Sequence, residues 1–314
     1  LKDIGVTLGD PAGAGPEILL RAVAHFGGRR RLRVFGDRGL IERLAQGAQG
    51  TEGLEIVQAG PELSADFARG RWSEVGARAS VEYLRAAAAQ LRAGRLRALV
   101  TGPISKKSLS FCGEPGPGQT EWLAQQLGAE LAVMCFWSPS FWLALVTTHP
   151  PLRRVAAELD AGRLACLVQV VVRELGPLLG GSPRLALAAL NPHGEEDGRP
   201  GREEEEILRP AVEKLRAQGV DIVGPLAGDT VFFQARQGQF DLVVSPYHDQ
   251  GLAALKTLHF FEAVHVTLGL PCVRTSPDHG PAYDQVGGAP DFTSMLRALE
   301  LAERLLQARQ SYGG

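Results

Sequence analysis

The chain has 314 residues, and 33 basic against 35 acidic side chains leave a formal net charge of -2. Binding a polyanion through counterion release needs clustered positive charge, so a near-neutral chain without a dense basic run is not built around nucleic acid. At 45% hydrophobic and 22% charged residues the composition is that of an ordinary globular protein, which excludes disorder and collagen-like repeats.

In chain order, IGVTL at 4–8 predicts a first strand, and GDPAGAGPE after it predicts a glycine loop and a helix starting at Pro16, proline being favoured in a first turn. Gly13 and Gly15 match the first two glycines of G-x-G-x-x-G, and Asp37 follows the next strand where a ribose contact would lie. The third glycine position is Ile18, however, where close helix–strand packing calls for glycine. A tight turn using glycine for backbone freedom is therefore the stronger reading. Further apolar runs come after it: LRVFG at 32–36, ALVTG at 98–102, LALVTT at 143–148, RLALAAL at 184–190 and DLVVS at 241–245. Between them, SVEYLRAAAAQLRAG and EEEEILRPAVEKLRAQG repeat apolar residues at intervals of three and four, the helical period. Such alternation predicts an α/β fold with a largely parallel sheet covered by helices on both faces. Glu203 to Glu206 read as a helix first turn, where carboxylates meet the positive end of the macrodipole, and not as a metal site.

Cys112, Cys135, Cys166 and Cys272 form no C-x-x-C pair and are expected as buried thiols. No apolar run reaches the eighteen or so residues of a membrane span, and LKDIGVTLGDPAG lacks the layout of a signal peptide, so a cytoplasmic protein with no membrane partner is expected.

Three of the apolar runs end in a histidine: LALVTTHPP carries His149, LALAALNPHGEE carries His193 and DLVVSPYHDQG carries His248. Loops after the carboxyl ends of parallel strands line the ligand crevice, so three such loops can bring three imidazoles to one divalent ion and leave coordination positions open. A single histidine after a strand is more often a hydrogen-bonding loop residue, and the spacing, without an H-x-x-x-H helix, leaves both readings open. Lys256 lies eight residues after His248, between apolar neighbours and in a chain with only five lysines; Arg274, Asp278 and His279 come later. A lysine and an arginine beside a metal point to an anionic substrate.

Taken together, GDPAGAGPE, VTGPISK, GQTEWLA, TTHPPL, NPHGEEDG, GPLAGDTVF, YHDQGLAALK and VTLGLPCVRTSPDHGPAYD resemble the 4-hydroxythreonine-4-phosphate dehydrogenase family of pyridoxal phosphate biosynthesis, in the family's order and over almost the whole chain. The resemblance implies an isocitrate/isopropylmalate dehydrogenase-like fold, with two α/β/α domains around a cleft: 1–125 plus 275–314, and 126–274 carrying the histidines. It implies a homodimer with a shared active site, NAD or NADP as cofactor, and one divalent ion, zinc, magnesium or cobalt, on His149, His193 and His248. It also places substrate contacts on Thr120, Lys256 and Arg274. Where the family has histidine before that threonine this chain has Gln119, and where it has asparagine before VTLGLP this chain has His265, both in the substrate pocket. The implied reaction is oxidation of 4-phosphooxy-L-threonine at C3 followed by decarboxylation, with Lys256 or Asp249 relaying protons. A sibling dehydrogenase for a threonate or erythronate phosphate, a metal-dependent hydrolase, and a binding protein with a structural metal are the alternatives.

Overall fold

The computed structural model describes residues 4–27, 31–46, 50–114, 116, 118–193 and 202–312. NPHGEEDG therefore lies outside the described residues from Gly194 onward. The chain divides into unit 1, Leu1–Ala132 with Leu270–Leu306, and unit 2, Val133–Gly269 with Gln307–Gly314.

The strands are β1 (Ile4–Thr7), β2 (Leu32–Gly36), β3 (Leu54–Gln58), β4 (Ala98–Thr101), β5 (Val133–Trp137), β6 (Trp142–Leu145), β7 (Leu185–Ala188), β8 (Ile222–Leu226), β9 (Leu242–Ser245), β10 (Val264–Leu268) and β11 (Val273–Pro277). In unit 1 they run in the order β3-β2-β1-β4-β11, all parallel. In unit 2 the order is β10-β5-β6-β9-β7-β8; β6, β9, β7 and β8 are parallel, while β5 runs antiparallel to both β10 and β6. The antiparallel pair results from the short link between β5 and β6, where Ser138 N–H and the Phe141 carbonyl close a tight turn; so short a connection cannot make a parallel crossover. Every residue of β1, β4, β6, β7 and β9 is buried, which is why these strands read as unbroken apolar runs.

In unit 2, Met134, Phe136, Leu143, Val243, Leu252 and Leu255 share one core. Leu252 and Leu255 come from the helix His248–His259, and burying each contributes roughly 1.5–3 kcal/mol. A Cβ on Gly251 of that helix would stand 2.6 Å from the Leu143 side chain, so the helix lies directly on β6. That contact fixes its first residue, His248, over the sheet. The thiols depart from expectation at one place: Cys135 and Cys272 are buried and Cys112 is half-buried, but Cys166 is exposed, on the outer face of the helix Ala161–Leu179.

In unit 1 the ends of β1 and β4 press together. Gly102 donates to the Thr7 carbonyl at 3.0 Å, and a Cβ there would meet Gly9 N, Leu8 C and Thr7 O, each at 2.6 Å. All three are backbone atoms and cannot swing aside. Gly102→Ala is accordingly expected to cost about 3 kcal/mol, read as a lowered urea midpoint; an unchanged midpoint would show that the two strand ends can part.

Candidate active site

The glycine loop is occupied by its own unit. Asp10 N–H donates to the Pro103 carbonyl (2.8 Å), Gly13 N–H to the Asp10 carbonyl (3.0 Å) and Ala14 N–H to the Pro281 carbonyl (2.8 Å), while Ala12 N–H donates to Asp10 Oδ1 (2.9 Å). Four amides that a phosphate-binding loop would offer to a ligand are thus spent internally. Gly13 is needed because a Cβ would lie 2.3 Å from the Pro281 carbonyl oxygen, not because a pyrophosphate must approach. Arg69 braces the same loop, donating to the carbonyls of Pro11 and Gly13 and pairing with Glu17. Asp37, the candidate ribose ligand, is fully buried and caps the helix Arg38–Leu44, accepting from Leu40 N (2.6 Å) and Leu63 N (2.9 Å). The dinucleotide fingerprint therefore fails at each of its parts.

Asp10 also accepts a hydrogen bond from the Tyr283 hydroxyl at 2.7 Å. Burial raises its pKa above the ordinary carboxylate value, against the opposing pull of the Tyr283 and Ala12 hydrogen bonds. The folded chain holds this proton more tightly than the unfolded chain. The group therefore favours folding most below the ordinary carboxylate range, and that contribution is lost as pH rises through the raised folded value. Asp10→Asn is expected to remove the slope, gaining stability relative to the wild type as pH rises from the ordinary carboxylate range through the raised folded value. Urea midpoints measured across that range check it, and a gap independent of pH would count against it.

In unit 2 the three sequence-predicted histidines come after the carboxyl ends of neighbouring parallel strands, His149 after β6, His248 after β9 and His193 after β7, with β9 between the other two. Side chains tie these loops together. Thr147 donates through both its amide (3.1 Å) and its hydroxyl (2.8 Å) to the Pro246 carbonyl, joining the loops of His149 and His248. Gln250 donates to the Ala189 carbonyl (2.7 Å) and accepts from the Ser245 hydroxyl (2.7 Å), joining the loop of His248 to that of His193. Glu204 accepts from Leu190 N and Asn191 N, both at 2.8 Å.

The rings of His149 and His248 lie 5.3 Å apart, centroid to centroid. Two imidazoles bound at ~2.1 Å to one tetrahedral ion have ring centres roughly 5 Å apart, so this pair fits a shared divalent ion. Asp249 Oδ1 stands 2.7 Å from His248 Nδ1, an arrangement that holds the proton on Nδ1 and leaves the Nε2 lone pair for a metal. His193 is not gathered with the pair: among the described residues no three His, Cys, Asp or Glu side chains converge as a metal cluster. Its backbone is left-handed, at φ 64°.

Lys256 stands on the helix begun by His248, and with His248, Asp249, Leu252, Ala253, Thr257 and Phe260 it lines an open groove of about 590 Å³. His265 on β10 pairs in register with Phe136 on β5 and stacks on its ring at 5.1 Å. Unit 1 supplies the remaining candidates. Arg274 on β11 is 2% exposed and donates to Thr101 Oγ1 at 2.7 Å; burial pushes its pKa down to about 10, with Glu121 pulling the other way, so it is a cation at neutral pH. Gln119 and Thr120 open the helix Gln119–Gln126, and Thr120 is buried. The Gln119 amide nitrogen lies 3.4 Å from the Gly102 carbonyl, and its buried Oε1 has no hydrogen-bond partner.

Residues 29–302 match the family model described as pyridoxal phosphate biosynthetic protein PdxA. The chain belongs to that family. A 4-hydroxythreonine-4-phosphate dehydrogenase of Bradyrhizobium diazoefficiens is 38% identical, with 98% of each chain covered. One of Beijerinckia indica is 40% identical over 96% of this chain and 94% of its own. Among solved structures, the 4-hydroxythreonine-4-phosphate dehydrogenase of Klebsiella pneumoniae superposes with a TM-score of 0.84 at 33% identity, covering 97% of this chain and 98% of its own. A beta-decarboxylating dehydrogenase of Thermococcus kodakarensis, at 14% identity and a TM-score of 0.52, shares the fold, as the isocitrate/isopropylmalate dehydrogenase-like expectation requires. The family's curated relatives are thus named as oxidoreductases. No helix among the described residues is long and apolar enough to cross a membrane.

Glu204, Gln250, Thr147 and the Asp10–Tyr283 pair escape a reading by motif. Gln250 and Thr147 sit inside YHDQG and TTH, where the neighbouring histidine draws the functional assignment. Glu204 reads in the sequence as part of a solvated helix first turn, yet it is fully buried in a π-helical turn, Glu204–Leu208.

Proposed function

We propose that the chain oxidises 4-phosphooxy-L-threonine at C3 and decarboxylates the product to 3-amino-2-oxopropyl phosphate, in pyridoxal 5'-phosphate biosynthesis. The reading rests on the 38% identity that covers 98% of both this chain and a curated enzyme of that name. NAD or NADP would supply the hydride acceptor, and His149, His193 and His248 would hold a divalent ion, zinc, magnesium or cobalt, that would supply Lewis-acid stabilisation of negative charge. The fit of the His149–His248 ring pair supports two of those three ligands.

Around that chemistry the chain's own residues bind and move protons. The substrate loses a hydride from C3 and a proton from its hydroxyl; decarboxylation then releases CO2, and a proton returns to the carbon. Lys256 or Asp249, both in the groove beside His248, are the groups assigned to relay these protons. Lys256 and Arg274 hold the anionic ends, and Thr120, Gln119 and His265 complete the substrate contacts. The partnerless Gln119 Oε1 suits a donor on the substrate, such as its amino group.

A second reading is favoured by the same residue. A hydroxyl also donates to an amide oxygen, so a sibling dehydrogenase acting on threonate or erythronate 4-phosphate fits Gln119 as well. NADH formation measured across these phosphorylated hydroxyacids, with zinc, magnesium and cobalt in turn, separates the two. Preference for 4-phosphooxy-L-threonine is expected. Preference for a substrate without the amino group would transfer the assignment to the sibling, and product without NADH would transfer it to a hydrolase.

Phe260 and Phe261, 62% and 58% exposed just beyond the helix that bears Lys256, support assembly of two copies into a homodimer with a shared site, which sedimentation tests directly. Four free thiols suit a reducing, cytoplasmic setting.

A further inference from the structure

We propose that His259 is a positioning residue for Lys256, holding the last turn of the helix His248–His259 and with it the wall of the groove that meets an anionic end of the substrate; the inference deepens the reading of Lys256 above and rests on it. Gly251, Leu252 and Leu255 are the buried residues of that helix, and burial stops with them. None of residues 256–262 is buried, and the next buried residue, Ala263, already leads into β10. Apolar packing therefore seats the front of the helix on β6, while the turn that carries Lys256 is placed by polar ties.

His259 supplies such ties from both its backbone and its ring. Its carbonyl accepts from Glu262 N–H (3.2 Å) and Ala263 N–H (3.0 Å), closing the turn beyond the helix. Its Nε2 lies 2.7 Å from the Ser140 hydroxyl and its Nδ1 3.2 Å from the Glu262 carboxylate. A carboxylate can only accept, so in the neutral ring the proton is on Nδ1 and Nε2 accepts from Ser140.

Ser140 belongs to the tight turn between β5 and β6, which Ser138 and Phe141 close through both backbone and side chain. The ring thus fastens the helix end to a well-held corner of the sheet. Lys256 stands three residues before His259, on the same side of the helix, and its ammonium lies 5.9 Å from the centre of the Phe260 ring, the residue just after the tie. Lys256 and Phe260 line the groove together with His248 and Asp249. A lysine ammonium rides on a flexible four-carbon stem, and a ligand that must order such a side chain binds less tightly than one that finds it in place. Releasing the turn would return that ordering cost, for Lys256 and Phe260 alike, to the binding step without removing a single substrate contact.

The test is calorimetric binding of 4-phosphooxy-L-threonine to the full chain, with Zn2+ present throughout and no NAD, so that nothing turns over. Six forms are compared: wild type, Lys256→Met, His259→Ala, His259→Gln, Ser140→Ala and the double variant of Lys256→Met with His259→Ala. His259→Ala is expected to weaken binding by about 5–50-fold, and Ser140→Ala to act in the same direction by less. His259→Gln can still accept from the Ser140 hydroxyl through its amide oxygen and should recover part of the loss. The decisive comparison is the cycle: in the Lys256→Met background His259→Ala should cost at most about 3-fold, because no ammonium remains to be placed. A loss of equal size in both backgrounds would mean a general structural role and would overturn the inference, as would unchanged affinity in His259→Ala or, if that variant does not fold, in Ser140→Ala. If the wild type does not bind this substrate, or Lys256→Met binds it equally well, the reading of Lys256 fails and the inference falls with it. Loss in Lys256→Met without loss in the His259 and Ser140 variants removes the inference alone.

Discussion

His248→Ala is expected to lower kcat/KM for 4-phosphooxy-L-threonine by at least about 10³-fold, with added NAD and metal, while the protein stays folded. A divalent ion contributes several kcal/mol to stabilising developing negative charge, and each 1.36 kcal/mol is tenfold in rate, so losing a ligand that holds it in place removes about three decades. Of the proposed ligands, His248 is the appropriate one to delete. Its ring stands 5.3 Å from that of His149, and the Asp249 carboxylate lies 2.7 Å from its Nδ1, which leaves Nε2 as the nitrogen that would face an ion on the proposed site. It also opens a helix whose position is set by Leu252, Leu255 and Gly251 packing on β6, so alanine, a good helix former, leaves that packing intact. The expected change in stability is below about 1 kcal/mol. Initial rates of NADH formation together with a thermal melt make the measurement. A variant with wild-type activity would end the metal-dependent mechanism.

Arg274→Met is expected to act on a different step. The guanidinium is 2% exposed and bonded to Thr101 Oγ1, and although burial draws its pKa to about 10 it carries its charge at neutral pH. Methionine has a similar reach and fills similar space without charge or donors. Removing one partner of a buried, charge-assisted contact costs about 2–5 kcal/mol, which corresponds to a fall of about 30- to several-thousand-fold in kcat/KM, carried largely by KM. Co2+ affinity should be unchanged, the reverse of the pattern for His248→Ala. Arg274→Lys should recover only part of the loss, since an ammonium cannot make the paired contacts of a guanidinium. Wild-type KM in Arg274→Met would remove this residue from the substrate site.

The parts of the fold legible in the sequence are those where burial leaves a simple pattern. The apolar runs of β1, β2, β4, β6, β7 and β9 predict strands within a few residues of where they lie, because strands covered on both faces become unbroken apolar runs. The strands that escape such a reading each carry something that hides the pattern. β8, IVGPL, contains glycine and proline, which read as a turn; β10, VHVTL, and β11, VRTSP, bear His265 and Arg274 and read as motifs. β3, LEIVQ, is only half-buried. β5 lies in a hairpin with no Asn-Gly or Asp-Gly signal, since its turn is closed by Ser138 through both its amide and its hydroxyl. In the site, His149 and His248 are legible from their position just past the ends of apolar strands, and the structure brings them together. Glu204 is not legible in this way. The helical period that buries Leu208, Val212 and Leu215 also carries Glu204 inward, but a carboxylate in EEEEILRPAVEKLRAQG reads as a solvent-facing residue until its partners, the amides of Leu190 and Asn191, are in place beside it.

The division of the chain sets an order on its synthesis. β11 completes the sheet of unit 1 beside β4, yet Thr101 and Val273 are separated in sequence by nearly all of unit 2. At ~5–20 residues per second, β4 has no outer neighbour for on the order of ten to thirty seconds after it leaves the ribosome, while unit 2 can form around its own strands. During that interval the newborn unit 1 presents an unpaired apolar edge, the ladder most open to mispairing with other nascent chains. A ribosome pause anywhere between Thr101 and Val273 would lengthen that period by its own duration, whereas a pause after β11 has left the ribosome would leave it unchanged.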